Sequence, residues 1–211
     1  PTNTPTNPPT PTATPIPEPV TVFLTGYSSH DGYIRASSSS NTTGGTVTNG
    51  NNLYVGDDAN RRQYKGILSF DTSGIPAGAT ILSAELSVTR QGLTGNPYAT
   101  MGSVRVDMAP FAGFSNNTTL ASGDFEAAAA ATNVCALSQA GSNNSAATCT
   151  LDAAGLSAIN NSGGSSGSYT QLRLYFSTAT DSDGNNDYIN FYPAETGTNS
   201  RRPKLTITYQ P

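Results

Sequence analysis

The stretch DSDGNND (181–187) places Asp181, Asp183, Asn185 and Asp187 at every second position. Ca²⁺ takes six to eight hard oxygens, and this spacing offers several of them from one tight loop. The order of an EF-hand loop is broken, because Gly184 comes too early. The same residues also suit a polar hairpin turn ahead of a strand at Tyr188, so a cation loop and a plain turn both stand. Asp57 and Asp58, in the segment GDD, would add ligands if they fold nearby. Calcium is the only cofactor these patterns suggest.

A second group of residues could make contacts rather than chemistry. Tyr188 and Tyr192 flank Asn190 on one face of a strand. With Arg173 and Tyr175 they form a polar-aromatic strip suited to a sugar or, equally, to a protein partner, since Tyr and Arg are frequent anchors there. Ordinary sandwich packing uses the same residues. Two arginine pairs, Arg61–Arg62 and Arg201–Arg202, stand out in a chain with ten bases. Pairing with Asp57, Asp58 or Asp71 would pin loops, whereas free guanidinium groups would suit an acidic polysaccharide.

Catalytic constellations are missing from the pattern. The single histidine, His30, sits beside Asp31 but no nucleophile-elbow motif accompanies it. The four glutamates Glu18, Glu85, Glu126 and Glu195 form no evident pair for glycoside hydrolysis. One histidine and no CxxC argue against an ordinary zinc site. The reading is therefore non-enzymatic. Fourteen acidic against ten basic residues give a net charge of −4, so no basic stripe exists to grip nucleic acid. No apolar run approaches the roughly 20 residues needed for a membrane span.

The elements that would position these residues are strands. Charged residues make up only 11% of the chain, and Gly, Ser, Thr and Asn replace them, a composition suited to turns and solvent-facing strand positions. Period-two alternation is clearest in ILSAELSVTR (81–90), where Leu82, Ala84, Leu86 and Val88 are expected to face inward. Further strands are expected in VTVFLTG, DGYIRAS, NNLYVGDD, GSVRVDMAP, YTQLRLYFST, DYINFYPA and PKLTITYQP. DFEAAAAAT (124–132), with Asp124 as N-cap, and LDAAGLSAINN (151–161) are the helix-like segments. The expected fold is all-β, a jelly-roll-like β-sandwich with one or two short helical segments. Cys135 and Cys149 are expected to form a disulfide closing a short polar loop.

Residues 1–19 read differently. Eight of the fourteen prolines fall there, which predicts an extended polyproline-II arm ahead of a single β-sandwich domain at 20–211. Thr2, Thr4, Thr6, Thr10, Thr12 and Thr14 give the arm the look of an O-glycosylated stalk. The absence of an initial Met fits a mature secreted chain, so an extracellular or cell-surface location is expected.

Several segments together resemble the DNRLRE-type β-sandwich, a family that overlaps the carbohydrate-binding module class 96. They are DGYIRAS, LYVGDD, RRQYKGILSFDTSGIPAGATILSAELSV and DYINFYPAETGTNSRRPKLTITY, in order across about residues 26–209. LSFDTSGIPAGATILSAEL is the most specific. The resemblance implies a jelly roll in secreted, often multidomain surface proteins, some of which bind acidic or neutral polysaccharides, and implies no catalysis.

Two functions follow as expectations. In the first, the chain is a subunit of an extracellular, pilus-like fibre. The arm and first strand, Val20, Thr21, Val22, Phe23, Leu24 and Thr25, are donated to a sister copy by β-strand addition, and such head-to-tail contacts propagate. In the second, it is a secreted carbohydrate-binding module.

Overall fold

Wherever apolar side chains alternate with short polar ones, the chain extends and one side of it is buried. The computed structural model describes residues 17–163 and 168–211. The arm's threonines, Thr2 to Thr14, lie outside the described residues. Among the described residues, twelve strands form one antiparallel sheet: β1 (Val20–Thr25), β2 (Gly32–Ala36), β3 (Gly44–Thr48), β4 (Leu53–Asp57), β5 (Gln63–Asp71), β6 (Thr80–Thr94), β7 (Val104–Met108), β8 (Ala131–Ala136), β9 (Ala146–Thr150), β10 (Tyr169–Phe176), β11 (Asp187–Phe191) and β12 (Lys204–Gln210). The helices α1 (Pro97–Thr100) and α2 (Ala153–Ser157) are short.

The main order is β1-β12-β6-β11-β4-β5-β10-β7-β8, with the β2–β3 hairpin on β5 and β9 on β6. The sheet curls around a continuous core that includes Leu53, Val55, Leu68, Phe70, Leu86, Val106, Leu172, Phe191 and Ile207. The result is the all-β, sandwich-like fold expected. The disulfide Cys135–Cys149 joins β8 to β9, with a Cα–Cα distance of 5.8 Å, inside the normal range. It straps strands that pair with different partners, β7 and β6.

A second, smaller core holds Ile34, Ala36, Ile67, Ala109, Phe114 and Phe125. It fastens the 109–130 segment over β2 and β5. Here the expected helix at 124–132 is replaced by a 3₁₀ turn, Ser122–Phe125, and then by β8 from Ala131. The reason is competition for the backbone. The guanidinium of Arg173 donates to the carbonyls of Asp124, Phe125 and Ala127, and Lys65 Nζ donates to Phe125 O. Those acceptors are then satisfied by side chains rather than by a helical ladder. Asp124 is therefore not the N-cap expected: it stands inside the 3₁₀ turn, third after the N-cap Ala121, and accepts from Ala121 N at 2.8 Å. The second helix-like segment does form: Asp152 caps α2 by accepting from Gly155 N.

One inward assignment on β6 is corrected. Leu82 is 48% exposed, while Ile81 packs on the core. The β12–β6 register shifts between Thr208 and Tyr209, so Tyr209 pairs with Ile81 and Leu82 is turned outward. At the start of the described chain, β1 pairs antiparallel with β12 of its own chain, Val20 opposite Tyr209 and Thr25 opposite Lys204. The Gln210 side-chain amide also donates to the Pro17 carbonyl. The strand expected to be donated to a sister copy thus lies on its own domain.

Candidate functional site

Four strands that are neighbours in the sheet each contribute one tyrosine to a single ring cluster. Tyr33 comes from β2, Tyr54 from β4, Tyr64 from β5 and Tyr188 from β11. Ring centroids lie 4.8 Å apart for Tyr33–Tyr54, 4.7 Å for Tyr54–Tyr188, 5.6 Å for Tyr54–Tyr64, 5.5 Å for Tyr33–Tyr64 and 5.8 Å for Tyr64–Tyr188. These are ordinary aromatic packing distances. All four side chains are half-buried, so the cluster reaches the surface. Burial raises the Tyr54 hydroxyl pKa, with Tyr188 and Tyr33 adding to it.

The strand register explains the assembly. Gly56 stands opposite Tyr188 and Tyr54 opposite Asn190. Gly56 has φ +141°, and a Cβ there would meet Asp187 O at 2.2 Å and Tyr188 Cα at 2.5 Å. Only glycine lets β4 and β11 close at this point, which brings the Tyr188 ring against Tyr54.

Charged and amide groups frame the rings. Asp58 accepts from Arg62 Nε at 2.9 Å and pairs with Arg62 at 2.7 Å and with Arg35 at 3.7 Å. Burial alone would raise the Asp58 carboxyl, but Arg62 and the backbone amides of Arg62 and Asn60 hold it below its ordinary value. Farther along β11, Asn190 Nδ2 donates to Asn52 Oδ1 at 2.7 Å and to Gln91 Oε1 at 2.9 Å. Beyond it a cleft of about 330 Å³ is lined by Asn51, Gln91, Tyr192, Pro193, Glu195 and Thr196.

At the opposite end of the β4–β11 pair, three carboxylates converge. Asp57, Asp181 and Asp187 each place an oxygen within 4.8 Å of the other two. Asp57 and Asp187 are register partners. Asp187 Oδ1 accepts from Asn96 N at 2.5 Å, in a turn where Gly95 has φ +65° and a Cβ would strike that oxygen. Burial, with Asp181 and Asp187 close by, raises Asp57 to about 6.

The alternating set read from the sequence therefore divides. Asp181 and Asp187 join Asp57, which came only as an additional candidate. Asp183 and Asn185 do not join: Asn185 donates to Asp183 from its backbone and its side chain, both at 2.7 Å, at the exposed tip of the turn. Asp58 is committed to arginine.

The polar-aromatic strip divides as well. Tyr188 enters the ring cluster and Tyr192 borders the cleft, its hydroxyl donating to Asn144 Oδ1 at 3.0 Å. Arg173 is not on a surface strip. It is buried, its NH2 bonds Asp107 at 2.7 Å, and its guanidinium lies 4.6 Å from the Phe114 ring centroid. Tyr175 donates to the same Asp107 at 2.9 Å. Both are framework residues of the second core.

Tyr33, Tyr54 and Tyr64 were not singled out in the sequence. A signal existed: Tyr33, Tyr54 and Tyr188 each precede a fully buried Ile34, Val55 or Ile189 in a strand already legible. What the sequence lacked was the strand order that unites them.

No protein-family model matches this chain, and no curated protein matches it.

Proposed function

We propose that this chain is a polysaccharide-binding β-sandwich, with Tyr33, Tyr54, Tyr64 and Tyr188 as its sugar-contacting platform. The observation that carries the reading is the contiguous four-tyrosine cluster, assembled from four strands and left half-buried. Rigid aromatic faces take up the apolar C–H faces of sugar rings, and phenol hydroxyls supply hydrogen bonds at the rim. Asn190, buried and fully hydrogen-bonded, positions the half-buried Asn52 and Gln91, whose amides extend the surface toward the neighbouring cleft. Arg35 and Arg62 share one carboxylate, Asp58, and both are half-exposed beside the rings, so their guanidinium N–H groups favour a polysaccharide that carries carboxylates or sulfates. The DNRLRE-type resemblance points to the same class of ligand, and an extracellular or cell-surface location belongs to this reading.

The test is a glycan array probed with the wild type and with Tyr54→Ala and Tyr188→Ala. Saturable binding that each substitution weakens by about tenfold, roughly 1.4 kcal/mol, is expected.

A second reading, a fibre subunit joined by strand addition, has one observation in its favour. β1 is an edge strand that exposes Phe23 (75%) and Val20 (38%). In that case the donated element would have to leave β12 of its own chain, or the β1 edge would have to accept a strand from a sister copy. Electron microscopy of the chain with and without residues 1–25 tests it, and fibres that survive the deletion would end it.

A further inference from the structure

We propose that Asp57, Asp181 and Asp187 form a Ca²⁺ site that ties the 181–187 loop to the end of the β4–β11 strand pair. Three observations combine. First, the three carboxylates come from two separate segments, the end of β4 and the 181–187 loop, and still converge within 4.8 Å. Ca²⁺–oxygen bonds of about 2.3–2.6 Å allow two ligands of one ion to stand up to about 5 Å apart, so one ion can touch all three.

Second, Asp57 is only 1% exposed, yet its Oδ1 has no hydrogen-bond partner among the described residues. Asp181 Oδ2 is likewise buried and without a partner. An unsatisfied buried carboxylate oxygen is costly, and here two such atoms sit in the same cluster. Third, the cluster is uncompensated. Among the described residues, Arg35, Arg62 and Arg173 make the ion pairs, and all go to Asp58 or Asp107. Three acids without a basic partner, offering only hard oxygen donors, match Ca²⁺ rather than a softer metal.

Asp181 suits the role of a bridging ligand. Its Oδ1 accepts from Asp183 N at 3.2 Å, which shapes the turn, while Oδ2 is left for the ion. Asp187 is oriented by Asn96 N in the same way. Water and backbone carbonyls would complete the coordination. The inference does not rest on the polysaccharide reading, because the three ligands are separate from the tyrosines.

The test uses the full chain stripped with a chelator. Tb³⁺ replaces Ca²⁺ as probe, with Tyr54 and Tyr188 on the same two strands as light-harvesting donors. The expected result is saturable tyrosine-sensitised luminescence that Ca²⁺ displaces and an equal concentration of Mg²⁺ does not. A thermal midpoint that rises with added Ca²⁺ is expected alongside it. Asp57→Asn and Asp181→Ala should each weaken Ca²⁺ binding at least tenfold. Asp181 is half-buried in a loop, so its variant carries the test if Asp57→Asn fails to fold. A wild type whose midpoint ignores Ca²⁺, equal displacement by Mg²⁺, or an Asp181→Ala chain that binds as tightly as the wild type would overturn the proposal.

Discussion

Asp57 faces Asp187 across the β4–β11 pair, and one step along the register Gly56 faces Tyr188. The end of the acidic cluster and the start of the tyrosine cluster are therefore fixed by the same two strands. Anything that holds Asp57 against Asp187 also holds Tyr54 against Tyr188, whose rings are 4.7 Å apart. Gly56→Ala should break this coupling, because its Cβ would strike the backbone of β11. A loss of roughly 2 kcal/mol or more is expected in urea unfolding, of the size seen when strained backbone or overpacking is forced on a core.

Arg173 and Asp107 form a buried ion pair at 2.7 Å that also organises three backbone carbonyls. Arg173→Ala would leave a buried carboxylate without its cation. A loss of about 3–5 kcal/mol is expected, measured by denaturant unfolding. Sugar binding by the fraction that stays folded should be unchanged, because Arg173 lies away from the tyrosines in the second core.

Asp31 is fully buried, and its Oδ2 accepts from Ala194 N at 2.8 Å. Burial, reinforced by nearby Glu195, raises its pKa to about 8 from an ordinary 3.8. Between those values the unfolded chain has released a proton that the folded chain retains. Stability contributed by this group therefore falls as pH rises through that window, by up to about 1.4 kcal/mol per pH unit. Asp31→Asn keeps an acceptor for Ala194 and has no proton to lose. The stability difference between wild type and this variant should shift in favour of the variant from about pH 4 to about pH 8.

The disulfide Cys135–Cys149 closes a loop with a sequence separation of 14. Replacing both cysteines by serine should cost about 3 kcal/mol, read as a lower midpoint in urea.

How far the sequence reaches can be seen at particular residues. Leu205, Ile207 and Tyr209 alternate cleanly, and all three are buried as their period requires. Leu82 and Ile81 exchange places because a bulge in the β12–β6 register leaves no mark on the β6 alternation itself. β3, β8 and β9 carry no readable alternation, since GGTVT, ATNVCA and AATCT are short and mixed in polarity. Their pairing comes from neighbours rather than from local pattern. The alanines at 127–130 favour a helix locally, yet Arg173 and Lys65, distant in sequence, claim the carbonyls around them. The candidate sites follow the same rule. Asp181 and Asp187 were legible from spacing within one loop. Their union with Asp57, and the meeting of four tyrosines from four strands, depend on strand order, which a single sequence does not display.

The most direct measurement is the binding of soluble polysaccharides, neutral and acidic, to the wild type and to a Tyr54→Ala/Tyr188→Ala double variant. With no tryptophan in the chain, intrinsic fluorescence is the summed emission of ten tyrosines, and the part of any change that the double variant loses reports on the cluster. The result expected is a saturable change in that emission with one class of polysaccharide, tightest for an acidic one, and at least a tenfold loss of affinity in a double variant that remains folded. No polysaccharide bound by the wild type, or equal affinity in the double variant, would contradict it.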